Sequence, residues 1–406
     1  MGNQETSESP QGLEGVRILE SGRFFAGPLV GTLLGDMGAE VIRYEEPGIG
    51  DPLRRGYPPL IGGKVGPYFL WSARNKKSIT LDLRKPKGQE LFKDLVRVSD
   101  VVTENFTPGT MAQWGLDYEQ LRKVNPEIIM LSVSAYGATG PYSDRPGIDH
   151  IIQAASGLMS VTGEPDGPPT FNGVAIADYV GGFTNTYAVL TALYYKLKTG
   201  RGQWIDSALF DAATFLLEHK VLHYTALGEM AWRQGSRGLP LSRAYPAKDG
   251  EIFIVGSFAM RTSILLGVIG REEFLDDPRF PKDRFTPFDR DFLEEIDAAV
   301  AAWTLSHAID EIEQILIPLG IMCAPVNDVA AVVDHPQYRA RGNLVEVEHP
   351  EVGTLRFQGT APKLSLTPGR VKRAAPLLGE HNRYVYCALL GHTEAEMEAW
   401  AKEGVI

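Results

Sequence analysis

The sequence predicts an α/β protein with a Rossmann-like large domain built on a parallel sheet, followed by a smaller α/β domain. Short apolar runs alternate with helix-like segments from Val16 to Asp206, the order in which β-α-β units build a parallel sheet. Glycines at 27, 31 and 35 recur every four residues, so one face of the first helix is nearly bare and can approach the sheet. Near residues 228–246 the composition changes to Gly, Arg, Ser and Pro, which indicates a domain boundary.

The elements of the large domain follow one another in a regular order. An apolar strand at 16–20, the glycine-spaced helix at 27–37 and a strand at 40–45 form the first β-α-β unit. The same alternation predicts strands at 78–82, 101–103, 128–133 and 203–206, and helices at 86–98, 110–124 and 178–198.

The domain boundaries are predicted from composition and from where strand patterns resume. Residues 1–228 form the main part of the large domain, and residues 229–330 form the small domain, which opens with a strand at 250–256 and contains a helix at 292–305. Residues 331–406 return to the large domain, with strand-like alternation at 342–366 and a last helix at 392–402.

Composition excludes several classes of protein. The 406-residue chain has a formal net charge of -11, which argues against general nucleic-acid binding. No apolar stretch reaches the roughly 18 residues of a membrane span, and the polar start does not have the pattern of a signal peptide. Two cysteines, Cys323 and Cys387, are too few for a disulfide framework. We therefore expect a cytoplasmic protein without nucleic-acid or membrane partners.

Neither a dinucleotide site nor a metal site is predicted. Glu45 and Glu46 stand where NAD-binding proteins place a ribose-binding acid, but the preceding turn, residues 22–27, lacks the three-glycine fingerprint. His219 and His223 are four residues apart on a predicted helix, yet Lys-Val-Leu separates them and no metalloprotease glutamate is present. We expect these histidines to pack against neighbouring residues or to lie at the protein surface.

Asp178 is the strongest candidate for chemistry. It ends an apolar run, opens the long helix and precedes Gly181 and Gly182. One interpretation is an N-cap, in which the carboxylate accepts backbone N–H bonds. The other is a nucleophile, because a carboxylate at the positive end of a helix stays ionised and can attack an electrophile.

Runs along most of the chain carry a family resemblance. They are Leu13–Leu19, Ala26–Pro28, Leu34–Ile42, Asn75–Leu83, Glu104–Phe106 with Pro108-Gly109, and Thr199–Gln203. With these runs the sequence resembles the family III CoA transferases, which include formyl-CoA:oxalate, carnitine and benzylsuccinate CoA transferases and the α-methylacyl-CoA racemases. The resemblance implies that Asp178 attacks an acyl-CoA, such as succinyl-CoA, to give an aspartyl anhydride and then an aspartyl-CoA thioester. A free acid, dicarboxylic or aryl-substituted, then takes the CoA.

The resemblance also implies where CoA, a substrate rather than a tightly bound cofactor, would lie. The matching positions are Phe25, Ala26, Leu81, Arg84, Asn105 and Phe106. Thr107 and Gln113 replace residues that are commonly basic in the family, so Arg74, Lys76 and Lys77 are candidates to supply the missing charge. The family further implies an interlocked, ring-like homodimer, or a pair with a homologous second subunit.

Two other activities are weighed against transfer. In the racemases a histidine precedes the aspartate of a Gly-His-Asp pattern, whereas this chain has Gly147-Ile148-Asp149, and isoleucine cannot exchange a proton. A non-catalytic CoA-binding partner subunit is the other alternative, and the presence of Asp178 argues against it.

Substrate contacts are assigned to two small groups of residues. Contacts with the acyl group or its oxyanion are expected from Arg23, Ile148, Asp149, Gly181 and Gly182. Arg23, Arg237 and Arg243 are candidates to hold the second carboxylate of a dicarboxylic acid. The segment from Gly235 to Gly238 is a candidate to enclose the nucleophile.

Overall fold

The computed structural model describes residues 9–56, 59–236, 241–256, 259–281, 286 and 288–406. Its contacts divide the chain into two compact units. The first unit comprises Met1–Leu158, Asn172–His219 and Pro336–Ile406, and the second comprises Met159–Phe171 and Lys220–His335. Residues 159–171 belong with the second unit in space, which composition does not reveal.

The strands form three sheets. In chain order they are β1 (Arg17–Glu20), β2 (Glu40–Glu45), β3 (Lys76–Thr80), β4 (Val101–Glu104), β5 (Ile129–Ser134), β6 (Trp204–Ala208), β7 (Ser242–Ala247), β8 (Gly250–Val255), β9 (Met322–Pro325), β10 (Leu344–His349) and β11 (Gly353–Gln358). The large sheet is parallel throughout and has the order β3-β2-β1-β4-β5-β6, that of a Rossmann fold. The predicted α/β fold with a parallel Rossmann-like sheet is confirmed.

Helices and loops make up the rest of the described chain. In chain order they are α1 (Ala26–Asp36), α2 (Pro67–Ser72), α3 (Pro86–Arg97), α4 (Thr110–Gln113), α5 (Tyr118–Val124), α6 (Asp149–Ala155), α7 (Ile176–Thr199), α8 (Leu209–Phe215), α9 (Lys220–Leu227), α10 (Ala259–Val268), α11 (Arg290–Leu305), α12 (Ile309–Leu316), α13 (Val329–Asp334), α14 (Pro336–Ala340) and α15 (Glu394–Lys402). Short 3₁₀ turns lie at Pro52–Arg54, Leu158–Val161, Glu272–Asp276 and Ile317–Leu319, and a π-helical segment at Arg383–Leu389. Within the described residues, none of the helices combines the length and apolarity that a membrane crossing requires.

Both faces of the parallel sheet are buried, as expected for strands joined by helices. Ile18 and Val41 belong to the apolar cluster on the face that packs against α1 and α7. Their neighbours Leu19 and Ile42 belong to the opposite cluster, which includes residues of α3 and α15. Alternate residues of β1 and β2 therefore point to opposite layers, and the sheet is the middle of three layers.

The bare face of α1 lies directly on the sheet. A β-carbon added at Gly31 would fall 1.9 Å from a carboxylate oxygen of Glu20, and one at Gly35 would fall 3.3 Å from the Val41 side chain. The close approach predicted from the glycine spacing is confirmed. It fixes where α1 begins, at the carboxyl end of β1.

The segment predicted as one helix at 110–124 is two helices, α4 and α5. Gly115 lies between them with a φ of 66°, in the left-handed region that interrupts a helix. Asp117 then caps α5, since its carboxylate accepts an N–H bond of 3.0 Å from Gln120. The apolar periodicity continues across both helices, which is why the pattern alone does not reveal the break.

The second unit has its own core. Strands β7, β8 and β9 form an antiparallel sheet, and Ile252 and Ile254 of β8 belong to one buried cluster with Phe292 and Ile296 of α11. The strand predicted at 250–256 and the helix predicted at 292–305 are both confirmed. Because each unit has its own hydrophobic core, each is a structural domain of the described chain.

Candidate active site

Helix α7 begins two residues before Asp178 and is capped by another aspartate. The Oδ1 atom of Asp149, at the start of α6, accepts N–H bonds of 2.8 Å from Ala177 and 3.2 Å from Asp178. Asp149 therefore satisfies donors that would otherwise be unpaired at the helix start. The N-cap interpretation of Asp178 is wrong, because Asp149, and not the Asp178 side chain, accepts the N–H bonds at the start of α7.

The carboxylate of Asp178 is accessible and unpaired. Its side chain is partly exposed, and no described residue donates a hydrogen bond to it or forms an ion pair with it. Burial, and secondly the charge of Asp149, raise the pKa of Asp178 to about 7. A carboxylate with few stabilising contacts is more basic and more nucleophilic than one held by several donors.

Gly181 and Gly182 do not form an open backbone surface. A β-carbon at Gly181 would fall 2.5 Å from the Leu209 side chain, and one at Gly182 would fall 2.3 Å from that of Leu29. Both glycines lie inside α7, where their N–H groups are used by the helix. We correct their predicted oxyanion role: they allow α8 and α1 to pack closely against α7.

The start of α1 meets the start of α7 through aromatic rings. The ring of Phe25 is stacked on that of Trp71 at 5.4 Å and lies edge-on to Tyr179, the neighbour of Asp178, at 5.1 Å. Tyr68 adds a further edge contact to Phe25 at 6.1 Å. Phe25 and Ala26, both predicted to contact CoA, therefore lie in an apolar wall next to the candidate nucleophile, with exposed fractions of 8% and 6%.

Helix α1 has no side-chain cap at its N-terminus. Among the described residues, the N–H groups of Ala26 and Gly27 have no acceptor. Unpaired N–H groups at a helix start carry partial positive charge and favour an anionic or polarised oxygen. This helix start can therefore hold a substrate oxygen, a role that the sequence analysis gave to α7.

Asn105 holds the turn that leads into α1. Its side chain accepts an N–H bond of 2.8 Å from Arg23 and donates one of 2.8 Å to the Arg23 carbonyl oxygen. A β-carbon at Gly27 would contact the Asn105 side chain at 3.3 Å. The side chain that was predicted to contact CoA therefore shapes the loop from β1 to α1.

A cavity of about 260 Å³ opens at the carboxyl ends of β1, β2 and β3. It brings together three of the residues predicted to bind CoA, namely Leu81, Arg84 and Phe106, and also Arg23. Phe25, Ala26 and Asn105 are not in its lining. The crevice beyond the carboxyl ends of parallel strands is where Rossmann folds bind nucleotides.

The charges at this cavity are balanced within the protein. The Arg84 guanidinium contacts Asp82 at 2.8 Å and Glu46 at 2.7 Å, and Arg23 contacts Glu46 at 3.4 Å. Arg84 is 62% exposed, so these ion pairs are weak and can exchange. Both arginines line the cavity and share Glu46 as a partner, while Arg84 is also bonded to Asp82.

The three cations proposed to compensate for Thr107 and Gln113 are used elsewhere. Lys76 is fully buried and bonded to Glu20 at 2.8 Å, and Arg74 is bonded to Asp36 at 2.7 Å. Lys77 forms an ion pair with Glu40. That prediction is wrong, because the three charges are used in buried or half-buried ion pairs within the protein. None of the three residues lines the cavity that contains Arg84.

The remaining candidates for substrate contacts each have their own surroundings. Ile148 precedes α6 and is 66% exposed. Arg243, in the second unit, contacts Asp297 at 3.4 Å, and the N–H of Gly235 bonds to the Gly163 carbonyl oxygen at 2.9 Å. Arg237 and Gly238 lie outside the described residues.

A second cavity, of about 290 Å³, was not expected from the sequence. Its lining includes Thr107, the buried Glu104 at the end of β4, and Asp206 on β6. Burial raises the pKa of Glu104 to about 7. The sequence does contain a signal for this site, namely the acid Glu104 at the end of a buried parallel strand. The resemblance instead assigned Asn105 and Phe106, the two residues that follow it.

The chain thus has a parallel sheet in Rossmann order and a cavity of about 260 Å³ at the carboxyl ends of its strands. It also has an unpaired carboxylate at the start of α7. These are features of an α/β enzyme, and Asp178 is its candidate catalytic group. Comparisons with known proteins agree with this class. A family model described as CoA-transferase family III matches residues 13–382. The chain belongs to that family and is a CoA transferase.

Similar proteins span nearly the whole chain. A succinyl-CoA–D-citramalate CoA-transferase of Chloroflexus aurantiacus is 38% identical over 98% of each chain. A succinate–glutarate CoA-transferase of Agrobacterium fabrum is 35% identical over 93% of this chain and 95% of the relative. A crystal structure of a CAIB/BAIF family protein from Brucella suis has a TM-score of 0.84 and 33% identity, covering 94% of this chain and 100% of the other.

Proposed function

We propose that this enzyme transfers CoA from succinyl-CoA to a small dicarboxylic acid through a covalent intermediate on Asp178. The donor and the acceptor class rest on the names of the relatives, which act on succinyl-CoA or succinate and on citramalate or glutarate. The observation that carries the proposal is the unpaired Asp178 carboxylate, whose pKa is raised to about 7 beside an apolar wall. These features suit attack on a thioester, and an aryl-substituted acceptor has no such support.

The proposed reaction is a series of four acyl transfers, and in each one a new bond to a carbonyl carbon replaces an old one. A carboxylate oxygen of Asp178 bonds to the thioester carbon, the C–S bond breaks, and the CoA thiolate leaves with the electron pair, which gives a mixed anhydride. The thiolate then attacks the Asp178 carbonyl carbon, and succinate leaves. The acceptor carboxylate attacks the carbonyl carbon of the resulting aspartyl-CoA thioester, the C–S bond breaks, and the CoA thiolate leaves, which gives a second anhydride. The thiolate then attacks the acceptor carbonyl carbon of that anhydride, and the bond from this carbon to the Asp178 oxygen breaks. Asp178 is thereby regenerated as a carboxylate.

The start of α1 is the proposed oxyanion site. Each attack places negative charge on a carbonyl oxygen, and the N–H groups of Ala26 and Gly27 are free to donate to it. The rings of Phe25, Trp71 and Tyr179 exclude water from the neighbouring space. Exclusion of water matters because an anhydride or a thioester exposed to solvent is lost to hydrolysis.

The cavity at β1, β2 and β3 is the proposed site for the nucleotide end of CoA. Phe106 offers a ring to adenine, and Arg84 and Arg23 offer guanidinium groups to phosphate. The loop held by Asn105 joins this cavity to the start of α1, so the pantetheine arm would follow that loop toward Asp178. Charge for the phosphates comes from these arginines rather than from Lys76, Lys77 or Arg74.

A homodimer is proposed from the exposed face of α7. Phe183, Tyr187, Tyr194 and Leu197 on this helix have exposed fractions between 55% and 84%. A run of large apolar side chains on one helix favours a protein partner, and a second copy is the partner that the family resemblance implies. Light scattering of the purified protein would give the mass of a dimer, and a monomer would contradict the proposal.

A donor and acceptor panel tests the reaction. Succinyl-CoA is incubated with citramalate, glutarate, malate and an aryl-substituted acid, and the acyl-CoA products are separated by chromatography. Transfer to at least one dicarboxylate is expected, and transfer to the aryl acid alone would contradict the acceptor class. Loss of deuterium from the α-carbon of an acyl-CoA without transfer would favour the racemase alternative.

Trapping tests the covalent intermediate. In the parent enzyme, hydroxylamine should convert the activated carbonyl of Asp178 to a hydroxamate adduct, and borohydride should reduce it to an alcohol. Mass spectrometry should locate either product at Asp178. Asp178→Ala should form no adduct and lose about a thousandfold in transfer rate. An adduct of the same yield in Asp178→Ala would remove this residue from the mechanism.

A further inference from the structure

Asp149 is buried and fully engaged by N–H donors. It is 4% exposed, its Oδ1 accepts from the N–H groups of Ala177 and Asp178, and its Oδ2 accepts from Gln153 Nε2 at 2.6 Å. One of its three donors is the backbone N–H of the candidate nucleophile itself. The position of this carboxylate therefore decides the position of the first turn of α7 at Asp178.

Gln153 fixes the orientation of Asp149. It is 0% exposed, and its amide oxygen accepts an N–H bond of 2.8 Å from Asn172, in the segment that precedes α7. Both ends of the amide are thus in use, one on Asp149 and one on Asn172. A rotation of the Asp149 carboxylate would leave buried polar groups unpaired, so the arrangement is rigid.

Among the titratable groups around α7, Asp149 is the one whose charge acts on Asp178. The ionisable side chains on the elements packed against this helix are Asp36 on α1, Asp149 and His150 on α6, Asp206 on β6 and Asp211 on α8. The like charge of Asp149 and the burial of the site together raise the pKa of Asp178. Helix capping and charge repulsion therefore come from one side chain.

We propose that Asp149, held in place by Gln153, is a positioning residue that both orients Asp178 and makes its carboxylate more nucleophilic. This inference rests on the proposed function of Asp178. When Asp178 bonds to the thioester carbon and the C–S bond breaks, the negative charge moves from Asp178 to the sulfur of CoA. The repulsion from Asp149 is present before the reaction and is relieved in the anhydride, so it lowers the barrier to attack.

Asp149→Asn removes the charge and keeps an amide oxygen that can accept the N–H bonds of α7, but its amide nitrogen cannot accept the bond from Gln153. The Gln153 variant below removes that bond without removing the charge, so the two effects can be told apart. We expect the acid limb of the pH profile for adduct formation to move about one unit lower. The rate above pH 8 should fall about tenfold, while the affinity for CoA stays at the parent value. A parent pH profile and a parent rate in a folded Asp149→Asn protein would overturn the proposal.

A matched control removes the same kind of charge elsewhere. Asp289 caps α11 in the second unit by accepting an N–H bond of 2.9 Å from Phe292. Asp289→Asn should leave the acid limb and the rate unchanged. An equal shift in this control would mean that net charge, not position, moves the profile, and would also overturn the proposal.

Gln153→Met provides a second variant of similar volume that leaves the Asp149 charge in place. Adduct formation should slow about tenfold without a change in CoA affinity, because Asp149 loses its anchor. A parent rate would contradict the positioning role, and unfolding of both variants would also count against it, because the pair would then serve the fold alone. If Asp178→Ala still forms the adduct, the proposed function fails; if only the Asp149 and Gln153 variants behave as the parent, this inference fails by itself.

Discussion

Helices α7 and α1 begin beside each other, but their N-termini are completed in opposite ways. The first N–H groups of α7 are all bonded: Ile176 and Tyr179 donate to loop carbonyl oxygens, and Ala177 and Asp178 donate to Asp149. Helix α1 has no cap, and its first N–H groups are unpaired among the described residues. One helix start thus presents a side-chain carboxylate, and the other presents backbone donors.

In the proposed mechanism, this difference divides the chemistry between the two helix starts. A nucleophile needs a free lone pair and a fixed backbone, which the capped start of α7 provides. An oxyanion site needs free N–H groups, which the uncapped start of α1 provides. A single helix start can hardly do both, because donors bonded to Asp149 are unavailable to a substrate oxygen.

Of the effects expected from the difference between the two helix starts, the largest is the dependence of transfer on pH. The pKa of Asp178 is raised to about 7, so the carboxylate form that the proposed mechanism requires appears as pH rises through that value. The kcat/KM for CoA transfer should fall about a hundredfold from pH 8 to pH 5 and reach a plateau above pH 8. Measuring kcat/KM from pH 5 to pH 9 at constant ionic strength tests this. A value of kcat/KM that does not change between pH 5 and 7 would contradict the raised pKa.

The contact between the two helices is tested by Gly182→Ala. The added methyl group would meet Leu29 at 2.3 Å, so α7 must move away from α1. We expect a loss of about 1–3 kcal/mol in the free energy of unfolding and a fall of about thirtyfold in transfer rate. Gly173→Ala is the control, because a β-carbon there has no neighbour within 4 Å. Equal effects in both variants would show that helix separation is not the cause.

The start of α1 is tested by Asn105→Ala. This change removes both hydrogen bonds to the Arg23 backbone and should loosen the turn before α1. The KM for succinyl-CoA should rise about tenfold, because two hydrogen bonds of ordinary strength are lost. Steady-state kinetics give the measurement, with the melting temperature as a check on folding. An unchanged KM would separate this loop from substrate binding.

The smallest effect concerns the cavity next to the start of α1. Glu46→Gln frees Arg84 and Arg23 from one carboxylate, so CoA should bind about threefold more tightly at low salt. Titration calorimetry with CoA measures this, and Glu90→Gln, which removes the partner of the surface residue Lys87, is the control. Weaker binding in Glu46→Gln would mean that CoA phosphates do not meet these arginines.

Local pattern predicted the secondary elements closely. The strand at 40–45 has the predicted bounds, and the predicted helix at 27–37 begins and ends one residue earlier as α1. Apolar periodicity and glycine spacing act over a few residues, so they are visible in a linear sequence. The break at Gly115 was missed because the backbone changes there while the apolar pattern does not.

Charge partners were predicted poorly. Lys76, Lys77 and Arg74 read as available cations, yet each is paired with an acid 37 to 56 residues earlier in the chain. Asp149 likewise caps a helix that begins 27 residues later. Such pairings depend on which strands and helices become neighbours, and that information is not local.

The sequence by itself determined the parallel Rossmann-like sheet, the approach of α1 to that sheet and the family, because each is written in short-range patterns and motifs. Tertiary structure alone decided that Asp178 is free while Asp149 caps its helix, and that Gly181 and Gly182 serve packing. The physical reason is that each polar group bonds to partners that folding brings close to it, and many of these partners are far away in the sequence. Whether a side chain is left without a partner, and so available to a substrate, depends on these tertiary contacts and not on its neighbours along the chain.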